Sequence, residues 1–270
     1  MANPLSANDI WRITYLDDNG GNFQARFVEA VFTHDQIADD SITVVGTDNI
    51  NNLLFGSTNS DSLTGANLDD RIFGREGIDI LKGLAGNDEL IGGSGNDDIE
   101  GGEGNDILIG GTGSDTLVGG IGRDYLSGGQ GSDSLDGGAL NGVDDGERDF
   151  FVWELDSADG SIDNVYNFNN EIDVLDLSGL LVGEESGNLE DFFSFDFTGG
   201  NTTIIIDADG IAGGDGVTII LDGINLSSIY GSSDESVIIA GLIADEALIV
   251  DPNDTFIPPY EQIDQGNIIP

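Results

Sequence analysis

The 270-residue chain carries 52 acidic residues against seven basic ones, a net charge of −45, with 42 glycines and no cysteine. Nucleic acid is excluded as a partner, because there is no basic patch and the only lysine is Lys82; disulfides and thiolate metal sites are excluded with the cysteines. So much charge opposes compaction unless cations are bound, and without metal this composition is that of a disordered chain.

In chain order, residues 1–46 come first. Met1 to Asp9 has neither the basic nor the apolar region of a signal peptide, and no apolar run in the chain approaches the ~20 residues of a membrane helix. Ile10, Trp11, Ile13 and Tyr15 predict a strand, Asp17 to Gly21 a turn, and Phe23 to Val28 the hairpin partner. Asp35 to Asp40 reads as a polar connection and His34 as a solvated loop residue. Ile42 to Val45 leads into Thr47–Phe55, a degenerate entry coil with Asn52 where the following units have aspartate.

Nine consecutive nonapeptides then run from Gly56 to Asp136. Glycine recurs at place one: 56, 65, 74, 83, 92, 101, 110, 119 and 128. Place six is always aspartate: Asp61, Asp70, Asp79, Asp88, Asp97, Asp106, Asp115, Asp124 and Asp133. Place eight is always Leu or Ile, which predicts a very short strand with one inward residue. Glycines at places one, two and four permit positive φ, so the turn tightens and aims its carbonyls inward. They are Gly83, Gly92, Gly101, Gly110, Gly119 and Gly128 at place one, and Gly93, Gly102, Gly111, Gly120 and Gly129 at place two. At place four they are Gly86, Gly95, Gly104, Gly113, Gly122 and Gly131. Carbonyl and carboxylate oxygens together suit Ca²⁺ better than Mg²⁺, which demands a stricter octahedron. Asn59 and Leu68 replace glycine at place four of the first two units, and Arg75 and Leu84 at place two of the third and fourth. The pattern therefore favours calcium from Gly83 onward and is weakest in the turn of Asp61.

The units G-G-x-G-x-D-x-L/I-x from Gly92 resemble the RTX calcium-binding nonapeptide, which implies a parallel β-roll. Two nonapeptides then make one coil, strands of units n and n+2 stack ~4.8 Å apart, and an ion sits between their turns. Nine units give seven such pairs, hence about seven ions. Odd and even units form opposite sheets. The even face shows Phe73, Ile91, Ile109 and Ser127 outward, flanked by Arg71, Glu89, Ile107 and Tyr125. So apolar a stripe predicts cover by another part of the chain, with the hairpin of residues 1–46 as one candidate.

Residues 138–250 leave the repeat after Gly137. Phe150–Trp153, Ser161–Phe168, Glu171–Leu177, Leu189–Phe197, Thr202–Ile206, Val217–Leu221 and Ala247–Val250 read as strands. Asp207 to Gly216 is a hairpin loop, since its glycine falls at the fourth place and not the sixth as an EF-hand needs. Ser232 to Glu235 opens a helix through Ile243, capped by serine, with an apolar stripe of Val237, Ile238, Gly241 and Leu242. Residues 251–270 hold four of the five prolines and read as an extended tail.

The wording Arg148–Trp153, Asp159–Asn169 and Ile172–Leu181 resembles the C-terminal target domain of large type I-secreted RTX proteins, above all bacterial surface adhesins. That resemblance carries over Asp149, with Asp163 and Asp173, as ligands of flanking calcium sites; Asn167 departs from the aspartate common there. The expected fold is thus all-β: a parallel β-roll over 47–137, then a β-rich domain over 138–250 with one short helix. The resemblance implies a monomeric region of a larger adhesin chain. It would be handled by a type I secretion ABC transporter complex, cross unfolded, and fold with calcium at the surface of a Gram-negative bacterium. An accessory module of a secreted lipase, protease or alginate epimerase is the alternative. Catalysis within the chain is not expected, because G-x-S-x-G, H-E-x-x-H and cysteine are all absent. A carbohydrate- or ice-binding face is disfavoured by the irregular odd face of Thr64, Lys82, Glu100, Val118 and Asp136.

Overall fold

The computed structural model describes residues 43–48, 50–138, 145–154, 157–181, 192–207 and 216–250, and the backbone of 11–15 and 26–31. The expected turn at 17–21, the connection at 35–40, His34, the loop 208–215 and the tail 251–270 lie outside these residues.

Before the repeat come β1 (Trp11–Tyr15), β2 (Arg26–Val31), β3 (Thr43–Val45) and β4 (Asn52–Phe55). The nonapeptides supply β5 (Ser62–Thr64), β6 (Arg71–Glu76), β7 (Ile80–Ala85), β8 (Glu89–Ser94) and β9 (Asp98–Glu103). They continue with β10 (Ile107–Thr112), β11 (Thr116–Ile121), β12 (Tyr125–Gln130) and β13 (Ser134–Asp136). After them come β14 (Phe150–Val152), β15 (Ile162–Tyr166), β16 (Val174–Asp176), β17 (Phe193–Asp196), β18 (Thr202–Asp207), β19 (Gly216–Leu221) and β20 (Leu248–Ile249).

These strands form two ten-stranded sheets, ordered β1-β2-β4-β6-β8-β10-β12-β14-β16-β20 and β17-β18-β19-β15-β13-β11-β9-β7-β5-β3. Even units fill the first and odd units the second. Within the repeat the stacking is parallel and shifted by 18 residues, placing Leu90 beside Leu108 and Leu81 beside Ile99. A strand shows alternate residues to opposite faces, so one place per unit points inward. Place eight does so: all nine residues from Leu63 to Leu135 are completely buried and form one apolar column. The molecule is an all-β parallel solenoid.

The sheets run on past residue 137. Leu126 pairs with Phe151 and Phe151 with Leu175, while Leu135 pairs with Val165 and Val165 with Leu221. Units ten, eleven and twelve are therefore β14, β15 and β16, with Phe151, Val165 and Leu175 in the inward place. Trp153, Phe151 and Phe168 are among the largest fully buried side chains of the core. The antiparallel strands β17, β18 and β19 finish the odd sheet.

The cover of the even face by the hairpin and the serine cap of the helix are corrected here. The hairpin β1–β2 lies at the edge of the even sheet, with Ala30 beside Leu53 in parallel pairing, and so lengthens that sheet and does not cover its face. The C-terminal region has two helices, α1 (Leu226–Ile229) and α2 (Glu235–Ala244). The cap of α2 is Asp234, which accepts from the Ser236 N–H, while Ser232 Oγ accepts from the Asp234 N–H. Ile238, Ile239 and Leu242 face inward, and Val237 faces out. No helix among the described residues is long and apolar enough to cross a membrane.

Phe73, Ile91 and Ile109 on the even face are half-buried, as are Thr64, Lys82, Glu100 and Val118 at the same place on the odd face. Neighbouring strands alone explain that degree of cover. Only toward the C-terminal end is the even face closed: Ile107, Phe150, Val152 and Val174 are buried. At the other end Phe55 stacks on Phe73 at 5.1 Å, with Arg75 and Arg71 over the two rings.

Candidate metal centre

The place-six aspartates form two ladders, one along each edge of the roll. In the odd ladder the N–H of Asp61 donates to Asp79 Oδ1 at 2.7 Å, and Asp79, Asp97 and Asp115 repeat the bond to Asp97, Asp115 and Asp133 at 2.8 Å. In the even ladder Asp70, Asp88 and Asp106 donate in the same way to Asp88, Asp106 and Asp124. Both ladders leave the repeat intact: Asp124 N–H donates to Asp149 Oδ1 and Asp133 N–H to Asp163 Oδ1, each at 2.9 Å, then Asp149 N–H to Asp173 Oδ1 at 3.0 Å. Asn52 begins the even ladder, where its side-chain amide and its N–H both reach Asp70 Oδ1. Each of the nine place-six aspartates, Asp61 to Asp133, is at most 4% exposed.

The second oxygens divide the ladders. Oδ2 of Asp79, Asp88, Asp97, Asp106, Asp115, Asp124 and Asp133 is buried and has no hydrogen-bond partner. Oδ2 of Asp61 and of Asp70 accepts instead from the N–H of Ser57 and of Ala66. A buried carboxylate oxygen with nothing opposite it is costly, and here the defect recurs once per unit in seven successive units. A cation between stacked turns removes it. Among the described residues no three acidic or histidine side chains converge on one point, so such an ion draws most of its oxygens from backbone carbonyls. That donor set is hard and all-oxygen, and suits calcium.

Burial also pushes these carboxyls up, with like charges in adjacent coils adding to it. Asp115 and Asp133 rise to about 6, Asp79 and Asp106 to about 7, and Asp88 and Asp124 to about 8. Asp70 and Asp97 rise as well, for burial first. Asp149 reaches about 9, with Asp124, Asp173 and Asp145 adding to its burial, and Asp163 about 7. The bonds from backbone N–H groups oppose the rise and do not cancel it. A site that holds a proton this tightly near neutrality exchanges it for a cation once one is available.

The glycines do two different jobs. Those at places two and four have positive φ, as expected: Gly86, Gly93, Gly95, Gly102, Gly104, Gly111, Gly113, Gly120, Gly122, Gly129 and Gly131. A Cβ on Gly95 would stand 1.4 Å from the carbonyl oxygen of Gly77, so the place-four carbonyl of one coil presses on the next. Arg75 and Leu84 take the same left-handed backbone at φ 85° without being glycine. At place one the expectation of positive φ is wrong. Gly83, Gly92, Gly101, Gly110, Gly119 and Gly128 are glycine because the carboxylate of their own unit lies against them; a Cβ on Gly83 would stand 2.2 Å from Asp88 Oδ2. Gly137 makes the same approach to Asp149 Oδ2, also at 2.2 Å. Asp149 is thus the place-six residue of unit ten, and Asp163 and Asp173 hold that place in units eleven and twelve.

Place five, read from sequence as unconstrained, carries a third ladder. Asp69 accepts from the Asn87 N–H, Asn87 from Asn105, Asn105 from Arg123 and Asn96 from Ser114, at 2.8 to 3.0 Å. Ser60 and Ser132 do the same for Ile78 and Ile162. The shared property is a short side chain with an acceptor oxygen, and that was the available signal.

The family profile of the RTX calcium-binding nonapeptide repeat (4 copies) matches residues 47–81, 73–108 and 109–143. Among solved structures, an extracellular lipase from Serratia marcescens is 17% identical, with a TM-score of 0.29 over 76% of this chain and 40% of the lipase chain. This chain thus spans well under half of that lipase. A subunit of the mannuronan C5-epimerase from Azotobacter vinelandii is 22% identical, with a TM-score of 0.24 over 66% of this chain and 76% of the subunit. No curated protein sequence matches the chain.

Proposed function

Given that residues 47–143 are RTX calcium-binding repeats, we propose that this chain is the calcium-folded region of a type I-secreted RTX protein of the adhesin type, and that its role is to fold outside the cell. The seven partnerless Oδ2 atoms carry this reading. One calcium ion for each gives seven, between the turns of units n and n+2, with Asp149 as candidate ligand of a further site in unit ten. Calcium supplies positive charge and open coordination; the chain supplies the Oδ2 atoms, the turn carbonyls and the N–H bonds that hold each carboxylate in place.

The dependence on calcium follows from how little else holds the roll. Each unit orders nine residues and buries one Leu or Ile at place eight, too little apolar burial to offset the lost backbone entropy. Extracellular calcium modules bind in the 10⁻⁴–10⁻³ M range. Cytosolic calcium therefore leaves the roll open, and calcium outside closes it by mass action. Folding there opposes back-sliding through the ABC transporter complex. The adhesin assignment is supported by the wording of Arg148–Trp153 and Ile172–Leu181. Tandem adhesin domains upstream in the gene agree with it, whereas a catalytic domain there favours an accessory module of a secreted enzyme.

The deciding experiment is a calcium titration followed by circular dichroism, with magnesium as control. Sheet signal that develops near millimolar calcium and not with magnesium supports the proposal. A roll fully formed in excess chelator at neutral pH overturns it.

A further inference from the structure

We infer that Asp145 and Asp159 are calcium ligands, each adding a second carboxylate to the last open turn of its ladder and making that site tighter than those inside the repeat. The place-four N–H of one unit donates to the place-three carbonyl two units on. Gly77, Gly86, Gly95, Gly104 and Gly113 donate in this way to Ser94, Glu103, Thr112, Ile121 and Gln130, at 2.8 or 2.9 Å. The next two bonds in the series change acceptor. The Gly122 N–H donates to Asp145 Oδ2 at 2.7 Å, and the Gly131 N–H to Asp159 Oδ2 at 2.9 Å. A carboxylate oxygen therefore stands in the place of a turn carbonyl, once on each edge of the roll. Gly122 and Gly131 lie in the turns of Asp124 and Asp133, which are 1% exposed and end the run of Oδ2 atoms buried without a partner.

The chemistry of the two oxygens suits a cation. The N–H bond takes one lone pair of each Oδ2 and leaves the other. Oδ1 of Asp145 accepts from the Glu147 N–H and Oδ1 of Asp159 from the Ser161 N–H, both at 2.9 Å, which fixes how each carboxylate is turned. Each also lies between two stacked turns. Besides burial, the charge of Asp145 helps to push up the carboxyls of Asp124 and Asp149, and that of Asp159 those of Asp133 and Asp163. A carboxylate in place of a carbonyl adds a full negative charge, and calcium sites gain affinity with the charge of their ligands. Asp163 and Asp173 offer less, because their Oδ2 atoms already accept from the Trp153 indole N–H and the Asn169 N–H, each at 2.8 Å.

The inference rests on the reading that calcium fills the open turns, and the sign of one shift separates the two. Asp145→Asn and Asp159→Asn keep an acceptor for the glycine N–H and remove the charge. If these residues only repel the neighbouring carboxylates, each variant folds at lower calcium. If they are ligands, each needs more. With seven ions sharing the transition, a loss of about a hundredfold at one site raises the calcium midpoint about twofold, and the double variant raises it about fourfold. Circular dichroism of the full chain in buffered calcium reads this. Asp69→Asn is the control, since Asp69 accepts from the Asn87 N–H in the place-five ladder and also adds its charge to buried Asp88 and Asp106; it is expected to lower the midpoint or leave it in place. An unchanged or lower midpoint in Asp145→Asn and Asp159→Asn overturns the inference, as does an equal rise in Asp69→Asn. Should an asparagine variant fail to fold in calcium, the glutamate variant at the same position decides: folding of Asp145→Glu supports the ligand, and its failure assigns Asp145 the bond to Gly122 alone and overturns the inference. A wild-type chain that does not respond to calcium overturns the calcium reading and this inference with it.

Discussion

Asp106→Asn separates the two oxygens of one carboxylate. Asp106 lies in the middle of the even ladder. Its Oδ1 accepts from the Asp88 N–H, its own N–H donates to Asp124 Oδ1, and its Oδ2 has no partner. Asparagine keeps the Oδ1 acceptor, so the stack holds, and puts an amide nitrogen where a cation would sit. Each ion bound only by the folded chain makes stability rise by about 1.4 kcal/mol per tenfold rise in free calcium above its dissociation constant. With one ion for each of the seven open oxygens, the slope is about 10 kcal/mol per tenfold; with six it is about 8. Urea unfolding over a series of buffered calcium concentrations gives the slope, and titration calorimetry the count. Asp61→Asn is the contrast. Its Oδ2 already accepts from the Ser57 N–H, so the substitution should cost about 1–3 kcal/mol and leave the ion count alone. A folded Asp106→Asn protein with unchanged count and slope refutes the assignment of Oδ2 as the ligand.

Leu84 sits at φ 85° with its side chain 44% exposed, so Leu84→Gly should stabilise the roll by about 1 kcal/mol, read as a lower calcium midpoint in circular dichroism. Gly95→Ala should do the reverse and by more, at least about 2–3 kcal/mol, because its Cβ meets the Gly77 carbonyl and φ is +132°; a calcium midpoint equal to wild type contradicts it. In chelator the roll should regain sheet signal on acidification. Its carboxyls titrate near 6 to 8 when folded against 3.8 for the ordinary group, so the folded roll binds the extra protons. That stabilisation is complete below about pH 4 and lost as pH rises through 6 to 8. Dichroism of the chelated protein that is flat from pH 8 to pH 4 would sink this argument.

The period of nine made the roll legible. Alternation in a strand leaves one inward place per unit, and Leu63 to Leu135 occupy it without exception; a two-unit coil then puts the aspartates in register. What followed Gly137 was hidden because the spacing breaks while the hydrogen bonding does not. Asp124 reaches Asp149 over 25 residues and Asp133 reaches Asp163 over 30, where the repeat uses 18. Within these longer connections Asp145 and Asp159 accept from the N–H groups of Gly122 and Gly131. Periodicity cannot find such coils, since backbone pairing is indifferent to how many residues a turn spends. The division of the Oδ2 atoms was hidden for a different reason. Asp61, Asp106 and Asp163 are the same residue at the same place, and their difference lies in whether a donor stands opposite: the Ser57 amide, nothing, and the Trp153 indole. A motif records which side chain is present. Whether that side chain needs an ion is decided by what faces it, ten residues away in the case of Trp153 and Asp163.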